Sequence, residues 1–319
     1  MKVKLIINPK SGRIKRKMPP ILKWNFKIVK NRFMAMFRRK TTPEESVEEV
    51  KKRCDEEKIQ LDIEFTKYPK HATELARSAR NKYDMVIVAG GDGTINEVIN
   101  GIKKSKTTLA IIPFGSANVL ALELGIPFNP EKAAELISKG KKISIDLGYA
   151  KTSQEGRYFS MMTGVGFDAS VIDQISPKFK KKWGKFAYPI AGIKHLFKYK
   201  WHNINVKHKS HSLGYLVLIS NCKYYAGEYQ IADKANITDG FLDLVVINRR
   251  NFWQIIKIVS SLMIGKANKF LEGEYYHTKN AHVYCEQKMF VHVDGELIGT
   301  APVKVKVVPK ALNVMVRND

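Results

Sequence analysis

The 319-residue chain is long enough for two domains that each bury a hydrophobic core. Its formal net charge of +25 predicts a polyanionic partner, and because no nucleic-acid-binding signature appears, a membrane surface is favoured. The three cysteines are far apart and odd in number, which excludes a disulfide framework and is typical of reduced thiols. Without a signal peptide or an apolar run of roughly 18 residues, the protein is expected to be cytoplasmic and peripherally associated with the inner face of the membrane.

The first predicted strand is Lys2–Ile7, and a turn of sequence NPKSG follows it. The turn consists of Asn8, Pro9, Lys10, Ser11 and Gly12. By itself this pattern is only a good turn. In a parallel α/β sheet, such a turn lies at the carboxyl ends of the strands, where ligands bind.

The segment from Arg13 to Lys40 contains eleven Lys or Arg residues and no Asp or Glu. Apolar residues recur at steps of three and four from Leu22 to Phe37, as on one face of a helix. A basic amphipathic helix with aromatic residues is typical of a membrane-surface element, which makes anionic phospholipid headgroups the expected partner. An ordinary helix with a solvated basic face, or a helix that binds a calmodulin-like groove, would have the same pattern.

A capping box at Thr42–Glu45 predicts a helix that runs to about Lys58. Gln60–Thr66 then alternates as a strand, and another helix begins at His71. A lone histidine at a helix end is more often structural than a ligand. These elements continue an alternation of strands and helices along the chain.

The most informative stretch is 84–101, where a short apolar strand is followed by a glycine turn and a helical pattern. Such a junction directs unpaired backbone amides and a helix dipole at one point, which suits a phosphate. Thr94 is predicted to cap the helix. Asp92 places a carboxylate inside this anion site, as expected if Mg²⁺ or a substrate hydroxyl lies between them. The turn is neither a Walker loop nor a dinucleotide fingerprint.

A second unit of the same kind follows, with a strand at Leu109–Ile112, a turn to Ser116 and a helix from Ala117 to Leu124. It predicts a second anion site beside the first. Residues 1–145 therefore have a β–α–β–α–β–α–β pattern. This pattern predicts a parallel sheet with helices on both faces and a ligand at its carboxyl edge.

Beyond residue 145 short alternating strands dominate, which predicts two or more antiparallel sheets in a domain of residues 146–309. Residues 310–319 are expected to return to the first domain. The predicted strands are Tyr158–Thr163, Ile204–Lys207, Gly214–Ser220, Leu242–Ile247, His282–Cys285, Phe290–Val293 and Val303–Val308.

The string GGDGTINEVING at 90–101 resembles the diacylglycerol kinase catalytic family, which includes soluble bacterial diacylglycerol kinases, sphingosine kinases and ceramide kinases. The NPKSG turn, the HATELA string at 71–76 and the GFDA loop ending at Ala169 resemble it as well. The resemblance implies an α/β N-terminal domain with a parallel sheet, similar to NAD kinases and phosphofructokinases. It also implies a β-rich, sandwich-like C-terminal domain, with the active site in the cleft between the two.

The resemblance further implies roles for particular residues, with ATP and Mg²⁺ as cofactors. Asp92, Asp294 and Glu296 would be catalytic, and Asp168 would contact the substrate. A structural metal would be held by Asn236, Asp239 and the carbonyl of Phe241. The residues implied at the nucleotide are Asn8, Pro9, Lys10, Ser11, Gly12, Thr66, Gly90, Gly91, Asp92, Gly93, Thr94, Asn96, Glu97, Gly115, Ser116 and Asn118.

The chain departs from the family pattern GTxND at two positions, because Ser116 replaces the threonine and Val119 replaces the aspartate. Ser116 keeps the hydroxyl, whereas Val119 removes a carboxylate.

The function predicted in this way is an ATP- and Mg²⁺-dependent kinase of a membrane lipid alcohol, with diacylglycerol as the first choice. A sphingoid-base or ceramide kinase, an NAD kinase-like enzyme and a non-catalytic nucleotide sensor at the membrane stay open as alternatives. A sensor would not need a base, so the joint presence of Asp92, Asp294 and Glu296 argues against it, while Val119 argues slightly for it. The expected partners are a lipid substrate and anionic headgroups but no nucleic acid, and a homodimer stays open.

Overall fold

A computed structural model describes residues 1–11, 43–115, 117–176, 179, 187–196, 198–225, 227, 229–248 and 273–318. The predicted basic helix at 13–40, together with Gly12, Thr42 and Ser116, lies outside the described residues. Among the helices of the described ranges, none is both long and apolar enough to span a bilayer.

The N-terminal half alternates strands with helices. Its elements are β1 (Lys2–Ile7), α1 (Pro43–Glu56), β2 (Gln60–Phe65), α2 (His71–Ala79), β3 (Met85–Gly90), α3 (Asp92–Ile102), β4 (Thr108–Pro113), α4 (Val119–Glu123) and α5 (Pro130–Lys139). The strands pair in parallel in the order β2–β1–β3–β4, which confirms the predicted parallel sheet. Every residue of β3 and β4 is buried, as their unbroken apolar runs require of strands covered on both faces.

Helix α3, which follows the glycine turn, packs closely on α2 because Gly101 has no side chain. A Cβ added at Gly101 would lie 2.4 Å from the Cβ of Ala76 and 2.8 Å from the carbonyl oxygen of Thr73. These distances are shorter than any normal contact, so the two helices would have to move apart to accept even a methyl group. The position of α3 against the sheet therefore depends on this glycine.

We expect Gly101→Ala to destabilise the protein by about 1–3 kcal/mol, because the added methyl group overpacks the α2–α3 contact. Gly192→Ala is the matched control, since Gly192 is also helical and no described residue lies within 4 Å of its added Cβ. There the change should stabilise by up to about 1 kcal/mol through helix propensity. Urea denaturation of both variants measures the difference, and equal effects would contradict the packing argument.

The C-terminal half consists mainly of short strands with two described helices. Its elements are β5 (Lys141–Lys151), β6 (Gly156–Phe159), β7 (Met162–Gly166), α6 (Phe167–Gln174), α7 (Ala187–Leu196), β8 (Ile204–Lys207), β9 (His211–Gly214), β10 (Leu216–Ser220), β11 (Tyr224–Tyr225), β12 (Tyr229–Gln230), β13 (Leu242–Ile247), β14 (Glu274–Thr278), β15 (Asn280–Tyr284), β16 (Phe290–Val293), β17 (Glu296–Thr300) and β18 (Val303–Val316).

Two large sheets form most of the described part of this half, and a shared hydrophobic core lies between them, while β11 and β12 pair as a separate two-stranded sheet. One sheet has six strands in the antiparallel order β14–β13–β10–β7–β16–β17. The other consists of β5, β6, β18, β15, β8 and β9. Val165 and Val291 of the first sheet share one core cluster with Ala281 and Val305 of the second. The expected β-rich, sandwich-like architecture is confirmed.

Strand β18 joins the two halves. It pairs in parallel with β4 through Asn313 and Val314, and it pairs antiparallel with β5 and β15. The N-terminal sheet and the second C-terminal sheet are therefore one ten-stranded sheet. The sequence predicted a strand that ends at Val308, whereas β18 continues past an irregularity between Val308 and Leu312. The division at residue 145 stays a prediction, because β5 begins before it.

Two further details differ from the predicted elements. Thr94 does not cap α3, because the helix already begins at Asp92, with Gly91 at the N-cap position and no side-chain cap. The single strand predicted at 158–163 is divided into β6 and β7. The reason is that the backbone amides of Ser160 and Met161 turn toward the carboxylate of Asp294, at 3.0 and 3.1 Å, and leave the strand pairing.

Candidate functional site

Three turns meet at the carboxyl edge of the parallel sheet. The glycine turn after β3 touches the turn after β4, because a Cβ added at Gly91 would lie only 3.0 Å from the Cα of Gly115. The side-chain nitrogen Nδ2 of Asn8, after β1, donates to Thr94 Oγ1 at 2.9 Å, and its side-chain oxygen accepts from the backbone amide of Lys10 at 2.9 Å. Asn8, Lys10, Gly91, Thr94 and Gly115, all predicted nucleotide residues, thus lie together.

Four other predicted nucleotide residues lie at the same edge. Thr66 follows β2, and its backbone amide donates to the carbonyl of Ile7 at 2.8 Å. Pro9 and Ser11 complete the turn after β1, and Gly90 ends β3. The local reason for this arrangement is the parallel pairing of the strands, which brings their carboxyl ends to one side of the sheet.

Asp92 is held by backbone amides from the neighbouring turn. Its two carboxylate oxygens accept from the amides of Asn118 at 2.9 Å and Val119 at 2.8 Å. Burial raises the pKa of Asp92 to about 6, opposed by the Val119 amide and reinforced by the charge of Asp294. The family pattern has an aspartate at the position of Val119. In this chain the valine side chain is buried, and its backbone amide donates to Asp92.

Asn118 adopts the left-handed backbone conformation, with φ of 50°, and its side chain is buried. Its side-chain nitrogen donates to the carbonyl of Gly115 at 3.1 Å. Its side-chain oxygen is buried without a hydrogen-bond donor among the described residues. An unsatisfied buried acceptor needs a partner, and a bound ligand with a donor group would supply one.

Asn96 and Glu97 on α3 were predicted at the nucleotide, and the structure gives each of them contacts within the protein. Glu97 accepts from the amides of Lys70 at 3.0 Å and Ala72 at 3.2 Å, and thus caps α2. The side-chain nitrogen of Asn96 donates to Asp294 at 2.7 Å, which ties α3 to the C-terminal half. A nucleotide contact of either residue stays a prediction.

Asp294 and Gly295 form the two-residue turn between β16 and β17, and both have positive φ, of 47° and 80°. An Asp-Gly pair suits this geometry, since both residues tolerate the left-handed region. The carboxylate of Asp294 is buried and accepts from Asn96 and from the amides of residues 160, 161 and 162. Burial raises the pKa of Asp294 although these donors oppose the shift. Asp294 thus fastens the turn to both halves.

Glu296 begins β17 and reaches the glycine turn from the opposite half of the molecule. A Cβ added at Gly93 would lie 3.1 Å from Glu296 Oε1. The other carboxylate oxygen accepts from Arg157 at 2.5 Å, and 43% of the side chain is exposed. Burial and the charge of Glu296 both raise the pKa of Glu97. Of the predicted catalytic residues, Glu296 is the one that combines exposure with a position beside the first turn of α3.

Arg157 is a site residue that the sequence analysis missed. Its guanidinium bridges Glu155, at 3.1 Å, and Glu296. The sequence does contain a signal, because Arg157 lies two positions before the apolar Phe159 in β6 and so shares its face of the strand, and both side chains are buried.

Asp168, the predicted substrate contact, lies in the first turn of α6 and is buried. One carboxylate oxygen contacts His292 Nε2 at 2.6 Å and the other accepts from the Tyr225 hydroxyl. His292 Nδ1 in turn accepts from the amide of Gly295 at 3.4 Å, so this cluster supports the 294–296 turn. The sequence analysis missed His292 and Tyr225. A direct contact between Asp168 and substrate stays a prediction.

We expect Asp168→Asn to lower the free energy of unfolding by about 1–3 kcal/mol, because the amide nitrogen of asparagine would face a buried donor, either His292 or Tyr225. Asp173→Asn, on the exposed side of the same helix, is the control and should change stability little. Thermal unfolding compares the two. Equal midpoints would show that the buried cluster contributes nothing.

The predicted metal residues Asn236, Asp239 and Phe241 share one turn. Asn236 Oδ1 accepts from the amide of Thr238 at 3.1 Å, and Asp239 Oδ1 accepts from the amide of Phe241 at 2.9 Å. Carboxylate and carbonyl oxygens are the donors that Mg²⁺ prefers. The described residues contain no cluster of three or more His, Cys, Asp or Glu side chains able to hold a metal. Metal binding at this turn therefore stays a prediction.

Two family models match successive parts of the chain. Residues 38–150 match the diacylglycerol kinase catalytic domain, and residues 161–316 match the YegS C-terminal NAD kinase beta sandwich-like domain. A diacylglycerol kinase of Staphylococcus saprophyticus is 30% identical over 254 residues, which cover 77% of this chain and 81% of the relative. A diacylglycerol kinase of Bacillus subtilis strain 168 is 29% identical over 240 residues, which cover 72% and 77%.

Solved structures show the same fold. Two solved structures from Bacillus anthracis strain Sterne superpose on the chain with TM-scores of 0.73 and 0.70, at 22% and 21% identity, and the second is described as a diacylglycerol kinase. The alignments cover 99% of this chain and 96% and 97% of the solved chains. The matches in sequence establish that the chain belongs to the diacylglycerol kinase catalytic family and is a phosphotransferase that acts on an alcohol.

Proposed function

We propose that the protein transfers the γ-phosphoryl group of ATP to the hydroxyl of diacylglycerol, with Mg²⁺ as cofactor. The family supports a lipid kinase, and two relatives are named diacylglycerol kinases. The single observation that carries the proposal is the position of Glu296. It brings an exposed carboxylate from the C-terminal half to the glycine turn where phosphate would bind.

The glycine turn and the N-terminus of α3 are suited to bind the nucleotide phosphates. Phosphoryl transfer depends mainly on positioning and electrostatic stabilisation, and backbone amides at a helix N-terminus supply both. Asn8 and Lys10 border this turn, and the unsatisfied oxygen of Asn118 lies beside it as an acceptor for a ligand donor. These features fit a nucleotide at the carboxyl edge of the parallel sheet.

Asp92 is the residue suited to hold Mg²⁺. Its carboxylate accepts hydrogen bonds from the amides of Asn118 and Val119, and burial raises its pKa. Among the described contacts of this carboxylate there is no cation that would stabilise its ionised form. Hard oxygen ligands of this kind fit the ion. Bound there, Mg²⁺ would neutralise negative charge on the transferring phosphate.

Glu296 is better placed than Asp294 to accept the proton of the lipid hydroxyl. Both carboxylate oxygens of Asp294 accept hydrogen bonds inside the protein, from Asn96 and from the amides of residues 160–162. Glu296 keeps one oxygen toward Gly93 and is partly exposed. In the proposed step the hydroxyl oxygen bonds to the γ-phosphorus, the bond to ADP breaks, and the hydroxyl proton passes to Glu296.

Transfer of labelled γ-phosphate to a panel of acceptors in mixed micelles tests the proposal. Diacylglycerol, a sphingoid base, ceramide and NAD would each be offered with ATP and Mg²⁺, and the products separated. Label on diacylglycerol supports the proposed substrate, and label on a sphingoid base or ceramide replaces it with another lipid alcohol. Label on NAD, or saturable ATP binding without any transfer, overturns the proposal.

A further inference from the structure

Arg157 is a buried cation close to the glycine turn. The residue is only 8% exposed, and a guanidinium keeps its proton throughout the pH range in which proteins are folded. Glu155 accepts from its Nε at 3.1 Å and Glu296 from its Nη1 at 2.5 Å, and both carboxylates are more exposed than the guanidinium. The arginine is therefore the fixed, inner member of this group of three.

Strand β6 places the arginine where an apolar residue would be expected. Arg157 is opposite Ala150 of β5, which is buried in the core between the two sheets. A charge at such a position costs free energy, and a buried ion pair can often be replaced by apolar residues without loss of stability. The stability of the fold therefore does not account for Arg157, and a role at the neighbouring turn explains it better.

The guanidinium lies beside the first turns of α3. The carboxylate of Glu296 connects the two, because one of its oxygens binds Arg157 and the other lies 3.1 Å from a Cβ added at Gly93. The charges agree with this location. Burial is the largest cause of the raised pKa of Glu97 on α3, the charge of Glu296 adds to it, and the charge of Arg157 opposes it. Arg157 is thus within electrostatic range of the helix N-terminus proposed to bind phosphate.

The charges at this edge of the sheet favour a fixed cation. Asp92 lies within electrostatic range of Asp294, and Glu296 adds a third carboxylate beside the same turn. A nucleoside triphosphate would bring further negative charge, and like charges repel strongly where water is partly excluded. Arg157 already balances Glu296, so it reduces this repulsion at the point where the phosphate would lie.

The guanidinium of Arg157 also has donors to offer to a ligand. Its Nε and Nη1 each bind a carboxylate, whereas no described residue supplies an acceptor to Nη2. A planar guanidinium can bind two phosphate oxygens through parallel N–H groups. The geometry of this side chain is therefore suited to a phosphoryl group that lies between Glu296 and the glycine turn.

We propose that Arg157 is a catalytic residue whose guanidinium binds the γ-phosphoryl group of ATP, both in the bound nucleotide and during transfer. The inference rests on the proposed function, because it assigns a further residue to the same site. As the acceptor oxygen bonds to the γ-phosphorus and the bond to ADP breaks, the hydroxyl proton passes to Glu296, while Arg157 keeps its protons. Its fixed positive charge stabilises the negative charge on the transferring oxygens.

A double-variant experiment separates this role from that of merely positioning Glu296. Arg157→Gln is made in the unchanged protein and in the Glu296→Gln variant, and single-turnover transfer of labelled γ-phosphate is measured. We expect Arg157→Gln to slow transfer on the order of 100-fold in both backgrounds, since it removes a contact to the phosphoryl group itself. If it has no further effect once Glu296 is replaced, Arg157 acts only through Glu296 and the proposal is wrong.

Equilibrium binding of ATP and ADP, each with Mg²⁺ and without lipid, gives a second readout. Arg157→Gln should weaken the binding of ATP about 10-fold and leave that of ADP unchanged, because a charge-assisted contact to the γ-phosphate is lost. Equal weakening of both nucleotides would overturn the proposal, because the variant would then disturb the whole site. Unchanged binding of both would overturn it as well.

Arg53→Gln is the matched control for lost charge. Arg53 also binds two carboxylates, those of Glu56 at 3.0 Å and Glu135 at 4.0 Å, but it lies in the last turn of α1, before the amino end of β2. This control should bind ATP and ADP as the unchanged protein does. Thermal unfolding of Arg157→Gln should show a single cooperative transition, since the carboxylates that it leaves unpaired are partly exposed.

The outcomes for this inference and for the proposed function are distinguishable. If the label is transferred to an acceptor other than diacylglycerol, the proposed substrate is wrong, but the selective loss of ATP binding in Arg157→Gln still supports the inference. If diacylglycerol is labelled while Arg157→Gln keeps the affinity of the unchanged protein for ATP, the proposed function stands and the inference is overturned.

Discussion

Replacing Glu296 by glutamine is expected to lower kcat by a factor on the order of 100 to 10,000 with little change in the KM for ATP. The variant keeps the side-chain volume and can still accept a hydrogen bond from Arg157, but it cannot take a proton from the lipid hydroxyl. Steady-state transfer of labelled phosphate to diacylglycerol measures the effect.

Glu155→Gln is the matched control for this change. Glu155 binds the same guanidinium at 3.1 Å, but Glu296 is the carboxylate that faces Gly93. Loss of general-base function should therefore appear in the Glu296 variant alone. If both variants lose activity equally, the pairing with Arg157 matters rather than proton transfer, and if neither does, Glu296 is not the base.

The sequence predicted best those parts of the site whose contacts are local. The glycine turn, the start of α3 and the turn after β1 follow from the order of strand, turn and helix, because parallel strands bring these turns to one edge. Asn8 and Thr94 meet for this reason, although 86 positions separate them. The parallel α/β fold and the later antiparallel strands follow from periodicity in the same way.

The contacts that local pattern could not show are those between distant turns. Asp294 and Asn96 are 198 positions apart, and nothing in the sequence around either residue indicates that Asp294 would accept a hydrogen bond from Asn96. The sequence therefore treated Asp294 and Glu296 as equivalent candidates. Only the tertiary structure separates them, since the first is directed into the protein and the second toward Gly93.

Helix α3 connects the turn proposed to bind phosphate to the turn of the other half that carries Glu296. Asn96 binds Asp294, and Asn100 donates to the carbonyl of Tyr158 at 2.9 Å and accepts from its amide at 3.1 Å. These bonds fix the helix that would hold phosphate relative to the turn that carries Glu296. Catalysis by positioning depends on such a fixed geometry, because small displacements of reacting groups are costly.

Asp92→Asn is expected to lower kcat/KM at least about 100-fold at neutral pH, because the variant lacks the negative charge that would hold Mg²⁺ beside the phosphates. Its amide nitrogen would also oppose a donor, either the amide of Asn118 or that of Val119. Asp84→Asn is the control. Asp84 likewise accepts from a backbone amide, that of Lys2 at 2.7 Å, but it precedes β3 at the opposite edge of the sheet. That variant should remain active.

The pH dependence of the unchanged enzyme gives an independent measurement of the same group. The folded-state pKa of Asp92 is raised from 3.8 to about 6. Between these two pH values, the folded protein therefore keeps a proton on Asp92 that the unfolded chain has already released. Stability from this group therefore falls as pH rises toward 6, and above pH 6 the ionised carboxylate costs on the order of 3 kcal/mol. Activity should show the opposite trend, with kcat/KM falling below about pH 6 as Asp92 becomes protonated.

A profile that stays flat down to pH 5 would remove the charge of Asp92 from the mechanism, whereas a fall that disappears in Asp92→Asn would assign it to this residue. If the protein bound nothing at this turn, the ionised carboxylate of Asp92 would only destabilise the fold. A cation beside Asp92 would offset most of this destabilisation, and Mg²⁺ should then bind more weakly as the pH is lowered. The same carboxylate would thus destabilise the empty protein and stabilise the loaded one, which is expected of a group kept for binding rather than for folding.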